Sequence, residues 1–178
     1  MEKTATKSRK KGISKADFKK AFIEEVLISG HNPASVFAFA KNLKSTESEF
    51  YKHFNSFRAL ERSIWAGWLN ETVEAIEKDA AYVEYSVREK LLAFYFTWLE
   101  VLKENRSFVL KRFEEVPKQE MNPYFLDQLK KRFEDYINEL VIEGKDTSEI
   151  AERPFTSQYG KAFWLHFMFI TRFWANDD

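Results

Sequence analysis

The chain has 178 residues, no cysteine, and 28 basic against 28 acidic side chains for a net charge of zero. That size allows one substantial core, or a small domain joined to a larger one. The missing thiols exclude a disulfide framework, a thiolate metal site and a thiol nucleophile. None of the histidines, His31, His53 and His166, stands three residues after an acidic residue, so the Glu-x-x-His spacing of bundle di-metal sites is excluded as well.

An apolar fraction of 44% and a charged fraction of 31% belong to a soluble globular protein, while 18 Phe and 5 Trp need an interior, a partner or a ligand to cover them. The neutral total hides an asymmetry. Residues 1–20 carry eight basic side chains against two acidic ones, and residues 61–178 carry 16 against 22. A basic terminus ahead of an acidic body suits an arm that reaches for a polyanion, and equally a solvated, disordered tail. The opening MEKTATKSRKKG has charge but no apolar run behind it, so no secretory signal is expected and a cytoplasmic location is the default.

In chain order, residues 1–14 read as a basic disordered arm. Ser14 with Asp17 three positions on has the spacing of a capping box. The helix it starts would turn Phe18, Ala21, Phe22, Val26 and Ile28 or Ser29 inward and close at Gly30. Next, Val36, Phe39 and Ala40 share one face of a short helix, capped by Asn32 or Ser35 and with Pro33 in its first turn. A polar break at Asn42–Ser45 leads to a second short helix, with Thr46 as cap and Phe50, Tyr51 and Phe54 as its apolar residues. Two short helices around a tight turn have the helix-turn-helix shape, and with the first helix they make a three-helix head over residues 15–60.

Residues 61–178 read as a helical bundle. A long helix from about Phe57 to Ala80 places Leu60, Ile64, Trp65, Trp68, Leu69, Val73 and Ile76 on one apolar face. Residues 86–103 are apolar nearly all round, which predicts a helix at the centre of the body, and a more polar helix follows a break near Asn105. Pro123 opens a striped helix running from Phe125 to Val141 and ending at Gly144. The last helix, from about Pro154 to Ala175, has nine apolar residues in the twelve from Phe163 to Trp174. His166 and Arg172 interrupt a run already too short for a bilayer, so no membrane span is expected. An apolar terminal helix needs cover on all sides; a second copy of the chain supplies the outer side most simply, with Phe163, Phe167, Ile170 and Trp174 as candidate interface residues. No period-two strand is evident, and the expected class is all-α.

Read without a gap, Gly30, Ser35, Val36, Phe39, Ala40, Phe50, Tyr51, His53, Phe54 and Leu60 resemble the amino-terminal DNA-binding domain of the TetR family of bacterial transcriptional regulators. The resemblance covers residues 18–65, and Phe-Tyr-x-His-Phe at 50–54 is its most specific part. It implies a homodimer whose second short helix enters the major groove of double-stranded DNA, and a carboxyl-terminal body that takes an effector and dimerises. It further implies that Ser35, Thr46, Tyr51, Lys52 and His53 contact phosphate or the groove edge, that Glu47 and Ser48 face bases, and that Arg9, Lys10 and Lys11 form the arm.

Three positions depart from the family pattern. Lys44 stands where a glycine is usual, Phe57 replaces a common lysine, and Glu47 and Glu49 lie on the turn expected to face DNA. Carboxylates repel phosphate, although a glutamate can accept a hydrogen bond from cytosine N4.

The reading is a ligand-responsive repressor with a small apolar or aromatic effector, and Trp65, Trp68, Phe94, Trp98 and Phe133 are pocket candidates by residue type. The alternative is a lipid- or partner-binding protein of the same fold that has lost specific DNA binding. No nucleophile motif, phosphate loop or metal spacing occurs, so neither catalysis nor a metal or cofactor is expected.

Overall fold

The computed structural model describes residues 12–151 and 159–177. Arg9, Lys10 and Lys11, and the expected start of the last helix near Pro154, lie outside the described residues. Among those described there are eight α-helices and no strand: α1 (Lys15–Ser29), α2 (Val36–Asn42), α3 (Glu47–Tyr51), α4 (Phe57–Glu77), α5 (Val87–Glu104), α6 (Arg106–Glu114), α7 (Asp127–Asp146) and α8 (Tyr159–Asn176). The class is all-α. The chain divides into two compact units, Met1–Phe57 and Arg58–Asp178.

In the first unit, Ser14 and Asp17 form the reciprocal capping box, with the Asp17 N–H 3.1 Å from the Ser14 hydroxyl. Gly30 closes α1 at φ 77°, a left-handed conformation that costs glycine nothing. The core is a knot of rings. Phe50 lies 5.5 Å from Phe18, 6.1 Å from Phe39 and 5.4 Å from Phe57, all near edge-to-face, the arrangement aromatic quadrupoles favour.

Three expectations change here. Ser35 caps α2, so Pro33 lies ahead of the helix, buried, and does not occupy its first turn. Phe54 follows α3, and its N–H bonds the Phe50 carbonyl at 3.0 Å, which turns its ring into the core. Ile28 is 87% exposed, away from the inner face of α1.

Lys44 makes the turn itself, at φ 56°. Its N–H bonds the Lys41 carbonyl at 2.9 Å, and the Ser45 N–H bonds the Ala40 carbonyl at 2.8 Å. A left-handed conformation costs a side-chain-bearing residue roughly 1–2 kcal/mol, part of which glycine loses again to unfolded-chain entropy. Lys44→Gly is therefore expected to stabilise the head by about 0.5–1 kcal/mol. Slower hydrogen exchange at α2 and α3 amides checks this, and faster exchange would refute it.

In the second unit, α4 buries Leu60, Ile64, Trp65, Trp68, Leu69 and Ile76. It stops at Glu77, short of Ala80, where Asp79 caps a 3₁₀ turn over Ala80–Glu84. Helix α5 starts on a Ser86–Glu89 capping box. It is not enclosed as its composition suggests, since Leu92 is 55% and Phe96 66% exposed. Asn105 is the joint to α6: its N–H bonds the Leu102 carbonyl and its own carbonyl accepts from Phe108 and Val109.

A 3₁₀ turn, Tyr124–Leu126, follows Pro123 and leads into α7. That helix runs through Gly144 to Asp146, so the glycine does not end it. Gly144 is there for close approach, because a Cβ would meet the Ile150 Cδ1 at 2.7 Å. Helix α8 turns Trp164, Phe167, Met168 and Thr171 inward and leaves Leu165, Phe169 and Phe173 outside.

Candidate nucleic-acid interface

The turn and the two short helices determine what the first unit presents. Helix α3 has only five residues, so its stability depends on its ends and on Phe50 beneath it. The Thr46 hydroxyl accepts from the Glu49 N–H at 3.2 Å, which satisfies one orphan donor of the first turn. Glu47 and Glu49 occupy that same turn, where the helix dipole favours negative charge. The two glutamates therefore have a local role in starting the helix, whatever they face.

Thr46 and Glu49 have capping-box spacing, yet the Glu49 carboxylate turns to Lys52, 2.7 Å away. The hydrogen bond from Lys52 and its charge hold the Glu49 carboxyl below the usual range. Glu49 thus carries an answered charge, which weakens the repulsion its sequence position suggests. A lowered folded-state pKa means that the stability contributed is present above the unfolded value and lost as pH falls through the folded one. With Lys52→Gln, the Glu49 carboxyl is expected to titrate at higher pH, close to an ordinary glutamate. Carbon-13 NMR of the side-chain carboxyl reads this directly, and an unchanged midpoint would remove Lys52 as the cause.

Ser35, Thr46, Glu47, Ser48, Tyr51 and Lys52 are exposed, and His53 is half-buried with its ring 5.9 Å from Phe18. Tyr51 lies edge-on to Phe50 at 5.6 Å while remaining 51% exposed, so it braces the core and offers a surface at once. Glu47, Ser48 and Tyr51 are on α3, Ser35 and Thr46 cap α2 and α3, and Lys52 and His53 follow α3 directly. Phe37, 60% exposed on α2 with Lys41 5.8 Å from its ring centre, was not anticipated, because its position on a seven-residue helix reads equally as core.

The expected pocket residues lie in the second unit, packed among its aromatic rings. Trp65 packs against Trp68 at 4.9 Å and Phe125 at 5.1 Å, while Phe94 and Trp98 pack on Phe167, with Phe133 4.6 Å from the same ring. All five are at most 7% exposed. Of the residues expected at a dimer interface, Phe167 is 1% exposed and belongs to this core, whereas Phe163, Ile170 and Trp174 are half-buried. Among the described residues no group of three or more His, Asp or Glu side chains could hold a metal ion, and no helix is long and apolar enough to cross a membrane.

A helix-turn-helix unit followed in the chain by a helical body defines the class as all-α. The family model described as the tetracyclin repressor-like C-terminal domain matches residues 90–178, half of the chain. The chain belongs to the TetR family. No curated protein and no solved structure matches it.

Proposed function

We propose that the protein is a homodimeric, ligand-responsive transcriptional regulator of the bacterial cytoplasm that binds double-stranded DNA and acts as a repressor, with no catalytic role. The observation that carries this is the exposed face of α2 and α3 behind a capped, hydrogen-bonded turn, with the charge of Glu49 answered by Lys52. Membership of a regulator family supports it. Ser35, Thr46, Tyr51, Lys52 and His53 are assigned to the phosphates and groove edge, Glu47 and Ser48 to the bases, and Arg9, Lys10 and Lys11 to the arm. Two heads about one helical turn apart would enter successive major grooves of a pseudo-palindromic operator.

Self-association is assigned to the outer side of α8 and the flank of α5. There Phe169 and Phe173 stack at 6.3 Å and are more than 60% exposed. Leu92 and Phe96 continue the apolar surface, with the Tyr95 hydroxyl 3.0 Å from the His166 Nδ1 between the two helices. Burial of such a face in a two-fold contact removes the most water-exposed rings of the body.

Titration of the full chain against random and genomic duplexes over a salt series tests the reading, beside a variant lacking residues 1–12. Selective binding is expected, with a steep salt slope that flattens in the shortened variant as phosphate contacts are lost. Weak, unselective binding that disappears with the arm would favour the second reading, a lipid- or partner-binding protein of the same fold. The exposed Phe37 beside a carboxylate-bearing α3 is what speaks for that alternative.

A further inference from the structure

A cavity of about 450 Å³ opens at the carboxyl-terminal ends of α6 and α8, within the roughly 300–1,000 Å³ of small-molecule sites. Leu110, Phe113 and Val116 are among its apolar walls, and Glu114, Lys118, Arg172 and Asn176 are its polar groups. Arg172 is its distinctive feature. One terminal nitrogen donates to the Pro117 carbonyl at 3.2 Å and to the Glu120 carbonyl. Its Nε is buried without a hydrogen-bond partner, and the guanidinium lies 5.5 Å from the centre of the Phe113 ring.

Among the described residues Arg172 forms no ion pair. Burial lowers its pKa, and Glu120 opposes this only from a distance. A half-buried cation held by carbonyl dipoles and a ring face, with no carboxylate of its own, stabilises an anion brought beside it. A planar guanidinium suits a planar carboxylate. Lys118 adds a second positive charge and Glu114 subtracts one, so the surroundings favour a monoanion over a dianion.

We propose that this cavity binds an organic monocarboxylate with a compact apolar body, its carboxylate on Arg172 and its body against Leu110, Phe113 and Val116. As the effector site of a regulator it rests on the function proposed above, whereas binding itself is measured on the protein alone.

Calorimetric titration of the full chain with benzoate and octanoate, beside benzamide and benzylamine, is the test. Saturable binding of a carboxylate is expected, with the uncharged and cationic analogues at least about tenfold weaker. Arg172→Gln and Ala175→Phe, the second filling the cavity from α8 while leaving Arg172 in place, are each expected to weaken binding at least about tenfold. Lys118→Gln is expected to cost about two- to fivefold. Should Arg172→Gln fail to fold, Ala175→Phe decides. The proposal is overturned by no saturable heat from either carboxylate up to about 10 mM, by benzamide matching benzoate, or by undiminished affinity in Ala175→Phe. Carboxylate binding by a protein that ignores DNA would leave this site standing and remove the regulator; selective DNA binding without carboxylate binding would do the reverse.

Discussion

Replacing Arg112 by Met is expected to destabilise the second unit by about 3–5 kcal/mol at neutral pH, or roughly 6–20 °C in Tm for a chain of this size. Arg112 is 3% and Glu61 1% exposed. The Arg112 Nε lies 2.7 Å from Glu61 Oε1, close but poorly aligned for a hydrogen bond, and Nη1 donates to Glu115 at 3.0 Å. The Tyr124 hydroxyl donates to the other Glu61 oxygen. Methionine keeps the volume and leaves a carboxylate inside an apolar interior without its cation.

Burial already holds the Glu61 carboxyl above its ordinary range, against the attraction of Arg112 and the hydrogen bond from Tyr124. Burial, helped by the bond to Glu61, likewise pushes the Tyr124 phenol up to about 12. Without Arg112 the Glu61 pKa rises further. A group whose folded-state pKa is raised contributes stability that is complete below its unfolded value and lost as pH rises through the folded one. The deficit of Arg112→Met is therefore expected to shrink between pH 7 and pH 5. Urea midpoints for both proteins at the two pH values measure it. A constant deficit would mean that lost packing, not the stranded carboxylate, is the cause. Combining the change with Glu61→Leu is expected to recover most of the loss, since an apolar pair of similar volume replaces a desolvated ionic one.

The second large effect is at Phe167. Phe167→Ala is expected to cost about 3–5 kcal/mol and to leave the oligomeric state unchanged. The ring lies 4.6 Å from Phe133, 5.1 Å from Trp98 and 5.4 Å from Trp164, and no neighbour can close a gap of that size without giving up its own contacts. Phe169→Glu, two residues on, is expected to do the opposite, with little change in stability and a shift to monomer. Thermal melts beside sedimentation measurements separate the two. A monomer from Phe167→Ala at unchanged Tm would return that residue to the interface.

Much of the head was legible because its determinants are local. Ser14 with Asp17, Gly30 and Thr46 act within four residues of themselves, so spacing identifies them, whereas Ser35 stands beside Asn32 as an alternative cap and Lys44 stands out only against the family pattern. Pro33 is displaced from the helix because capping preference does not say which of two polar residues wins, and Phe54 because the apolar spacing continues past the end of α3. Gly144 was read as a helix stop because a glycine that ends a helix and one that lets Ile150 approach look alike in one dimension.

The candidate sites divide along the same line. The caps of α2 and α3 and the short turn between them are determined by neighbouring residues, whereas the role of the residues around that turn belongs to the proposed function. The second unit is different. Helix α8 is apolar around most of its circumference, so periodicity could not tell Phe167 from Phe169, and only packing against α5 and α7 decided it. No local pattern marks Glu61 and Arg112 as partners, because their pairing spans 51 residues of chain. Arg172 became a candidate ligand group only when the 115–123 segment placed two carbonyls, and no carboxylate, beside it. Short-range hydrogen bonds and torsional preferences are written in neighbouring residues, whereas burial of a charge or a ring depends on which distant surface covers it, and that is set by tertiary structure alone.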